Sequence, residues 1–378
     1  MEKFKLIELS KKTKVLPQKS GLFVLYSKDK ALFVKSTENL NRFINFYCDE
    51  NSEDDVIQEL VKQVEHVEYM ENDLLIGAFL EEILFINKYN PPFNKMIKPW
   101  YKYSYLGINF EKPPYFKVCD DTTEDFYFLG PFRSAFVLND ILDVFADLFK
   151  MPRCSNETFE RSIEQQENNR KNVDKQNSTI YGCERLQNEL CLGFCQNRLG
   201  EALPEMTNRM MMLPNKELIN KLNIEYEALL NDLLFQKADD LTKQIELLKR
   251  YYKHVLFFYT SQFIEGDFKI QENQITVSEG MIIEGMINKE KIKYSCPQSE
   301  NIPYNLDFKK KNNELLAFDK SEFDHRWIIF NFLCQTQPDY IEQLFLENIE
   351  KIQKSVFCKE GQNINNEVHK NKIKKEKK

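Results

Sequence analysis

A chain of 378 residues, 42% hydrophobic and 29% charged, can form two or three domains with cores of their own and has the balance of a soluble globular protein. Its net charge of −7 argues against an overall basic surface of the kind nucleic acid usually draws, although a local patch can hide within it. The longest apolar runs, such as "LLIGAFLEEILFI", are broken by carboxylates and too short to cross a bilayer, which excludes a membrane partner.

The opening stretch "MEKFKLIELSKKTK" has charges but no apolar run followed by a small-residue cleavage site, so a cytoplasmic protein with reduced thiols is expected. "SGLFVLYSKDKALFVKS" predicts two strands joined by a polar turn at Lys28 to Lys30. "TENLNRFINFYC" predicts a helix with Thr37 as N-cap, and "DDVIQELVKQVEHVEYM" a helix running into a strand. "ENDLLIGAFLEEILFINKYNPPFN" is the central helix of a small α+β domain, stopped by Pro91 and Pro92. From Lys98 to about Cys154 comes a strand-rich segment that ends in a turn at Gly130-Pro131 and an amphipathic helix. Residues 155–181 are polar and read as a mobile insertion.

Nine cysteines are present, and three of them sit within "GCERLQNELCLGFCQ". In a reducing compartment such a cluster points to metal binding or redox chemistry before disulfides. Four thiolates, Cys183, Cys191 and Cys195 with Cys154 upstream, satisfy either tetrahedral zinc or an iron–sulfur cluster. On spacing alone this competes evenly with a reading as small buried hydrophobes, which free cysteine often is. Leu229, Leu233, Leu241, Ile245 and Leu248 then recur at helix spacing. A strand hairpin around Asn288 and two more helices follow, and "HKNKIKKEKK" closes the chain as a basic tail.

In this order the parts resemble the UvrC/Cho type of GIY-YIG nuclease. "LPQKSGLFVLYSKDKALFVKSTENLNRFINFY" resembles the start of its nuclease domain. "FLEEILFINKYNPPFN" resembles its glutamate helix, "YFLGPFRSAFVLNDILDVFADLFKMPRCS" its middle region, and "LLFQKADDLTKQIELLK" its UVR helix pair. The fold expected is α+β, with a GIY-YIG-like domain over 14–97 and a cysteine-bearing middle region over 98–215. A UVR-like helical hairpin over 216–253, a small α+β C-terminal domain over 254–360 and the tail over 361–378 complete it. The segment after the hairpin carries no recognisable helix-hairpin-helix "G-x-G" pair, so a second nuclease is not expected.

The resemblance implies that Cys154, Cys183, Cys191 and Cys195 hold a [4Fe–4S] cluster, with zinc as the alternative. It implies that Glu82 holds a catalytic Mg²⁺ or Mn²⁺ ion, with an ordinary helix carboxylate beside Glu81 as the competing reading. Phe235, Ala238, Leu241 and Ile245 match the apolar positions that meet a UvrB-like partner, or else pack an ordinary hairpin. At the nuclease positions the chain departs from the family. Phe23 and Phe33 stand where tyrosines are expected, Lys35 at a glycine, Ser36 at a lysine and Phe43 at an arginine, while Tyr47 is kept and Arg42 lies beside the lost arginine.

Phenylalanine cannot position water or donate to a phosphate, and each such group typically contributes roughly a hundredfold in rate. The expected protein is a pseudo-nuclease that binds DNA or a repair partner. Its DNA contacts would come from Lys35, Arg42, Lys95, Lys98 and the tail. An active single-incision endonuclease built on Glu82, Tyr47 and Arg42, and a metal scaffold outside repair, stay open as alternatives.

Overall fold

The computed structural model describes residues 1–6, 8, 15–49, 51–72, 74–95, 97–111, 114–122, 126–154, 184–194, 202–270, 273–287, 290–293 and 314–349. The expected insertion at 155–181, Cys183, Cys195 and the basic tail lie outside them. The chain forms two compact units. One holds Met1–Tyr103, Ser261–Phe308 and Asp319–Ile341, the other Ser104–Thr260, Lys309–Phe318 and Glu342–Lys378. The residues expected to make a separate C-terminal domain over 254–360 are thus divided between the two.

The first unit opens with β1 (Glu2–Lys5), then the predicted hairpin of β2 (Gly21–Ser27) and β3 (Lys30–Thr37), which turns at Lys28 with φ 53°. Helices α1 (Leu40–Tyr47) and α2 (Asp55–Gln63) lead to β4 (His66–Glu71) and the long α3 (Leu75–Tyr89). The strands form one antiparallel sheet in the order β1-β4-β2-β3. Successive strand residues point to opposite faces. Phe23 and Leu25 therefore enter a core with Phe33, Leu40, Ile44 and Val67, while Leu22 and Val24 enter a second one with Val34 and Ile86 of α3. Gly21 is required by close approach, since a Cβ there would lie 2.1 Å from the Met70 carbonyl oxygen on β4.

Thr37 does not cap α1. It still pairs with Gly21 in the ladder, and Asn39 is the N-cap, its side chain accepting the Arg42 N–H at 2.9 Å. Helix α3 ends as predicted ahead of the prolines, on Asn90 in the left-handed region at φ 43°. Beyond them Asn94 folds back on the sheet edge. Its amide donates to the Val34 carbonyl at 2.8 Å and accepts the Val34 N–H at 2.9 Å, closing an otherwise open strand.

The second unit contains β5 (Ser104–Ile108), β6 (Phe116–Cys119), β7 (Tyr127–Phe132), α4 (Ala135–Phe149), α5 (Ala202–Met210), α6 (Lys216–Asn231) and α7 (Phe235–Thr260). Helices α6 and α7 pack against each other. The far half of α7 supplies Tyr251 and Phe258 to an aromatic core with Phe132 and Phe145.

Returning to the first unit, β8 (Gly266–Ile270), β9 (Asn273–Ser278), β10 (Met281–Ile287) and β11 (Glu290–Lys293) form an antiparallel meander. The hairpin expected around Asn288 is the β10–β11 pair, with Ile287 opposite Glu290. Strand β12 (Glu314–Ala317) joins the second unit's sheet, parallel to β7. Helix α8 (Lys320–Thr336) belongs to the first unit and packs on α3. There the Tyr103 hydroxyl donates to Asp324 at 2.7 Å and Arg326 donates to Glu322 at 2.9 Å.

Candidate functional site

The site begins with strand alternation. Ser36 shares the parity of Val34 and so faces α3, where Glu82 stands one turn before Ile86 on the buried face. Glu82 is 3% exposed. Its Oε2 accepts the Ser36 backbone N–H at 2.9 Å and also the Ser36 hydroxyl, while Lys35 Nζ lies 3.5 Å from Oε1. Lys35 has the opposite parity, but β3 is an edge strand and the flexible lysine stem brings its ammonium to the carboxylate. Neighbouring Glu81 is half-buried, its carboxyl pushed up by burial, and among the described residues one of its oxygens has no hydrogen-bond partner. Of the two adjacent glutamates, Glu82 is the one turned to β3.

The opposite face of the hairpin is aromatic. The Phe33 ring lies 4.7 Å from Tyr47, and Phe23 lies 6.0 Å from Tyr47 and 6.2 Å from Phe33. Phe23 is wholly buried and Phe33 nearly so, in the core where Phe43 also packs. The Tyr47 phenol is pushed up, first by burial and then by the negative charge of Glu82, so it stays protonated at neutral pH. Arg42 is exposed, its guanidinium 5.8 Å from the Phe43 ring. Lys95 and Lys98 are exposed as well.

The geometry can be tested against the divalent ion that the resemblance implies. Such an ion takes several oxygen ligands at close range and needs room beside its carboxylate. Here both Glu82 oxygens already accept donors from β3, one of them a cation. The donor set as it stands does not fit a divalent metal. The Ser36 contact was absent from the sequence expectation. A serine two places after Val34 in an apolar strand carried its only signal.

Cys154 and Cys191 are half-buried, unlike Cys48 and Cys119 in apolar cores. Arg185 reaches Asp147 of α4 at 3.4 Å, and the Leu192 N–H donates to the Lys150 carbonyl at 3.2 Å. These ties hold the Cys191 segment against α4 and its C-cap Lys150, four residues before Cys154. The Gly193 N–H donates to Cys191 Sγ at 3.4 Å. Among the described residues no group of three or more His, Cys, Asp or Glu could hold a metal, and two of the four thiols fall outside that set. In the hairpin, Ala238, Leu241 and Ile245 are buried and Phe235 is exposed.

The first part of the chain is thus a β-hairpin followed by a glutamate-bearing helix and an asparagine returning to the hairpin edge. No protein-family model matches the chain. It is 24% identical over 253 residues to the UvrABC system protein C of Ruminiclostridium cellulolyticum, covering 65% of this chain and 39% of that one. It is 27% identical over 142 residues to the same protein of Methanococcus maripaludis, covering 37% and 27%. Among solved structures, the magnesium-bound GIY-YIG N-terminal endonuclease domain of Thermotoga maritima UvrC matches at 20% identity and TM-score 0.21, covering 23% of this chain and 96% of that domain. The chain is UvrC-like, and it spans about two-fifths of the length of the first of these relatives. Among the described residues no helix is long and apolar enough to cross a membrane.

Proposed function

We propose that the chain acts in nucleotide excision repair as a UvrC-like protein that binds DNA or a repair partner without efficient cleavage. The observation that carries this reading is the aromatic face, where Phe23 and Phe33 occupy the expected tyrosine positions and are packed into the core. They keep the volume of the site and remove the hydroxyls that would orient an attacking water or a phosphate. Contact with DNA then falls to exposed cations. Arg42, Lys95 and Lys98 present theirs to solvent, whereas the Lys35 ammonium is paired with Glu82.

In the same reading Cys154, Cys183, Cys191 and Cys195 hold a [4Fe–4S] cluster. The partly exposed Cys191 with its N–H···S contact, and the ties that bring its segment to α4, support that assignment. The α6–α7 hairpin is the place for a UvrB-like partner.

A nicking assay on anaerobically purified protein, with iron and sulfide measured on the same sample, tests both parts. Damaged duplex is expected to stay intact in Mg²⁺ or Mn²⁺, and iron and acid-labile sulfide are expected to be lost on Cys191→Ser. Metal-dependent incision abolished by Glu82→Gln would overturn the non-cleaving reading, and stoichiometric zinc without iron would overturn the cluster.

A further inference from the structure

We propose that Lys35 takes the place of the divalent cation in this domain, its ammonium serving as the standing counter-charge of Glu82. The inference rests on the non-cleaving reading above but makes a separate claim, about what balances the charge of the buried carboxylate.

A carboxylate 3% exposed has lost nearly all of its water, and an isolated buried charge is strongly disfavoured. In a metal-dependent site the ion supplies the balance. Here the balance comes from three donors on two consecutive residues of β3, and only Lys35 among them carries charge. The two departures from the family pattern at these positions are complementary. Lysine at the position where the resemblance expects glycine brings a cation on a flexible stem to Oε1. Replacing the following lysine with serine puts a short hydroxyl where it reaches Oε2. An ammonium 3.5 Å from Oε1 would repel a divalent ion brought to the same carboxylate. Lys35 itself is 34% exposed, so the pair sits at the sheet edge with its carboxylate end sealed.

The test is thermal melting of the full chain in EDTA, Mg²⁺ and Mn²⁺, with bound Mn²⁺ counted by electron paramagnetic resonance. The wild type, Lys35→Gly, Glu82→Gln and the double variant are compared. The wild type is expected to melt alike in EDTA and in metal, and to bind no more Mn²⁺ than Glu82→Gln does. Lys35→Gly is expected to melt lower in EDTA, to recover in Mn²⁺ and to gain about one bound ion per chain, a gain the double variant lacks. If glycine loosens the edge strand, Lys35→Met keeps the stem without the charge and is judged by the same comparison. Glu82-dependent Mn²⁺ binding by the wild type, or uncharged Lys35 variants that melt in EDTA like the wild type, would overturn the proposal. Nicking by the wild type bears on the non-cleaving reading alone, because the melting comparison judges the ion pair without any reference to cleavage.

Discussion

The floor of the amino-terminal site and the seam of the α6–α7 hairpin are both built from positions to which the family resemblance gives a binding task. In the site, Phe23 and Phe33 are sealed in the core and the buried carboxylate of Glu82 is closed off by Ser36 and Lys35. In the hairpin, Ala238, Leu241 and Ile245 are equally buried, but against the chain's own helices, and Phe235 remains 62% exposed beside Leu233 and Leu234. The difference separates packing from recognition. A side chain that is already buried stabilises the fold and cannot be offered to a partner unless the unit opens, whereas an exposed one can. In the amino-terminal site Phe23, Phe33 and Glu82 are turned inward, while Arg42 stays exposed. The hairpin keeps an apolar tip facing outward.

The largest effect on stability should therefore come from the hairpin seam. Ile245→Ala removes most of a fully packed side chain, and such truncations typically cost about 2–5 kcal/mol. Chemical denaturation should show a loss in that range. A loss below about 1 kcal/mol would mean that the seam is not closed in solution, and the contrast drawn between seam and tip would collapse.

Much of this was legible in the residues themselves. The alternation in "GLFVLYS" and "ALFVKS" marks β2 and β3, and the run from Leu75 to Tyr89 ahead of two prolines marks α3. What was not legible depends on pairing between distant segments. Thr37 looked like a cap because its ladder partner Gly21 lies on the preceding strand, and a local pattern does not show that pairing. Strand β12 joins β7 in parallel across almost two hundred residues, so reading the C-terminal segment by itself could not divide it between two units. The clamp on Glu82 needed both the parity of Ser36 and its meeting with a helix far along the chain.

An intermediate effect should come from the far half of α7, where the hairpin runs into the aromatic core. The His254 ring lies 5.5 Å from Phe132, and its Nδ1 is 2.8 Å from the Arg250 carbonyl. Burial, with the positive charges of Arg133 and Lys253 adding to it, pulls the imidazole from 6.5 down to about 4. Between those values the unfolded chain takes up a proton that the folded chain refuses, so stability is complete above pH 6.5 and falls as the pH drops towards 4. Melting temperature followed across this window should decline, and the decline should be shallower in His254→Phe. An unchanged slope in that variant would assign the acid sensitivity to other groups.

The smallest effect on stability should come from the hairpin tip, and it is the one that bears most directly on recognition. Phe235 opens α7 with most of its ring in water, so Phe235→Ala removes little packing and should change stability by less than about 0.5 kcal/mol. Its neighbours Leu233 and Leu234 are 70% and 41% exposed, which leaves three large apolar side chains in a row at one turn. Burial of an exposed aromatic ring in a complementary pocket is a common source of interface affinity, and truncating such an anchor often costs more than about 1.4 kcal/mol, or tenfold. If a UvrB-like partner docks here, titration against its purified helical segment should show Phe235→Ala binding at least about tenfold more weakly than wild type at an unchanged melting temperature. Ile245→Ala, compared well below its own melting point, should bind like the wild type because its side chain serves the seam alone. The opposite pattern, with affinity lost in Ile245→Ala and kept in Phe235→Ala, would show that the hairpin opens to bind and that the buried face is the recognition surface after all.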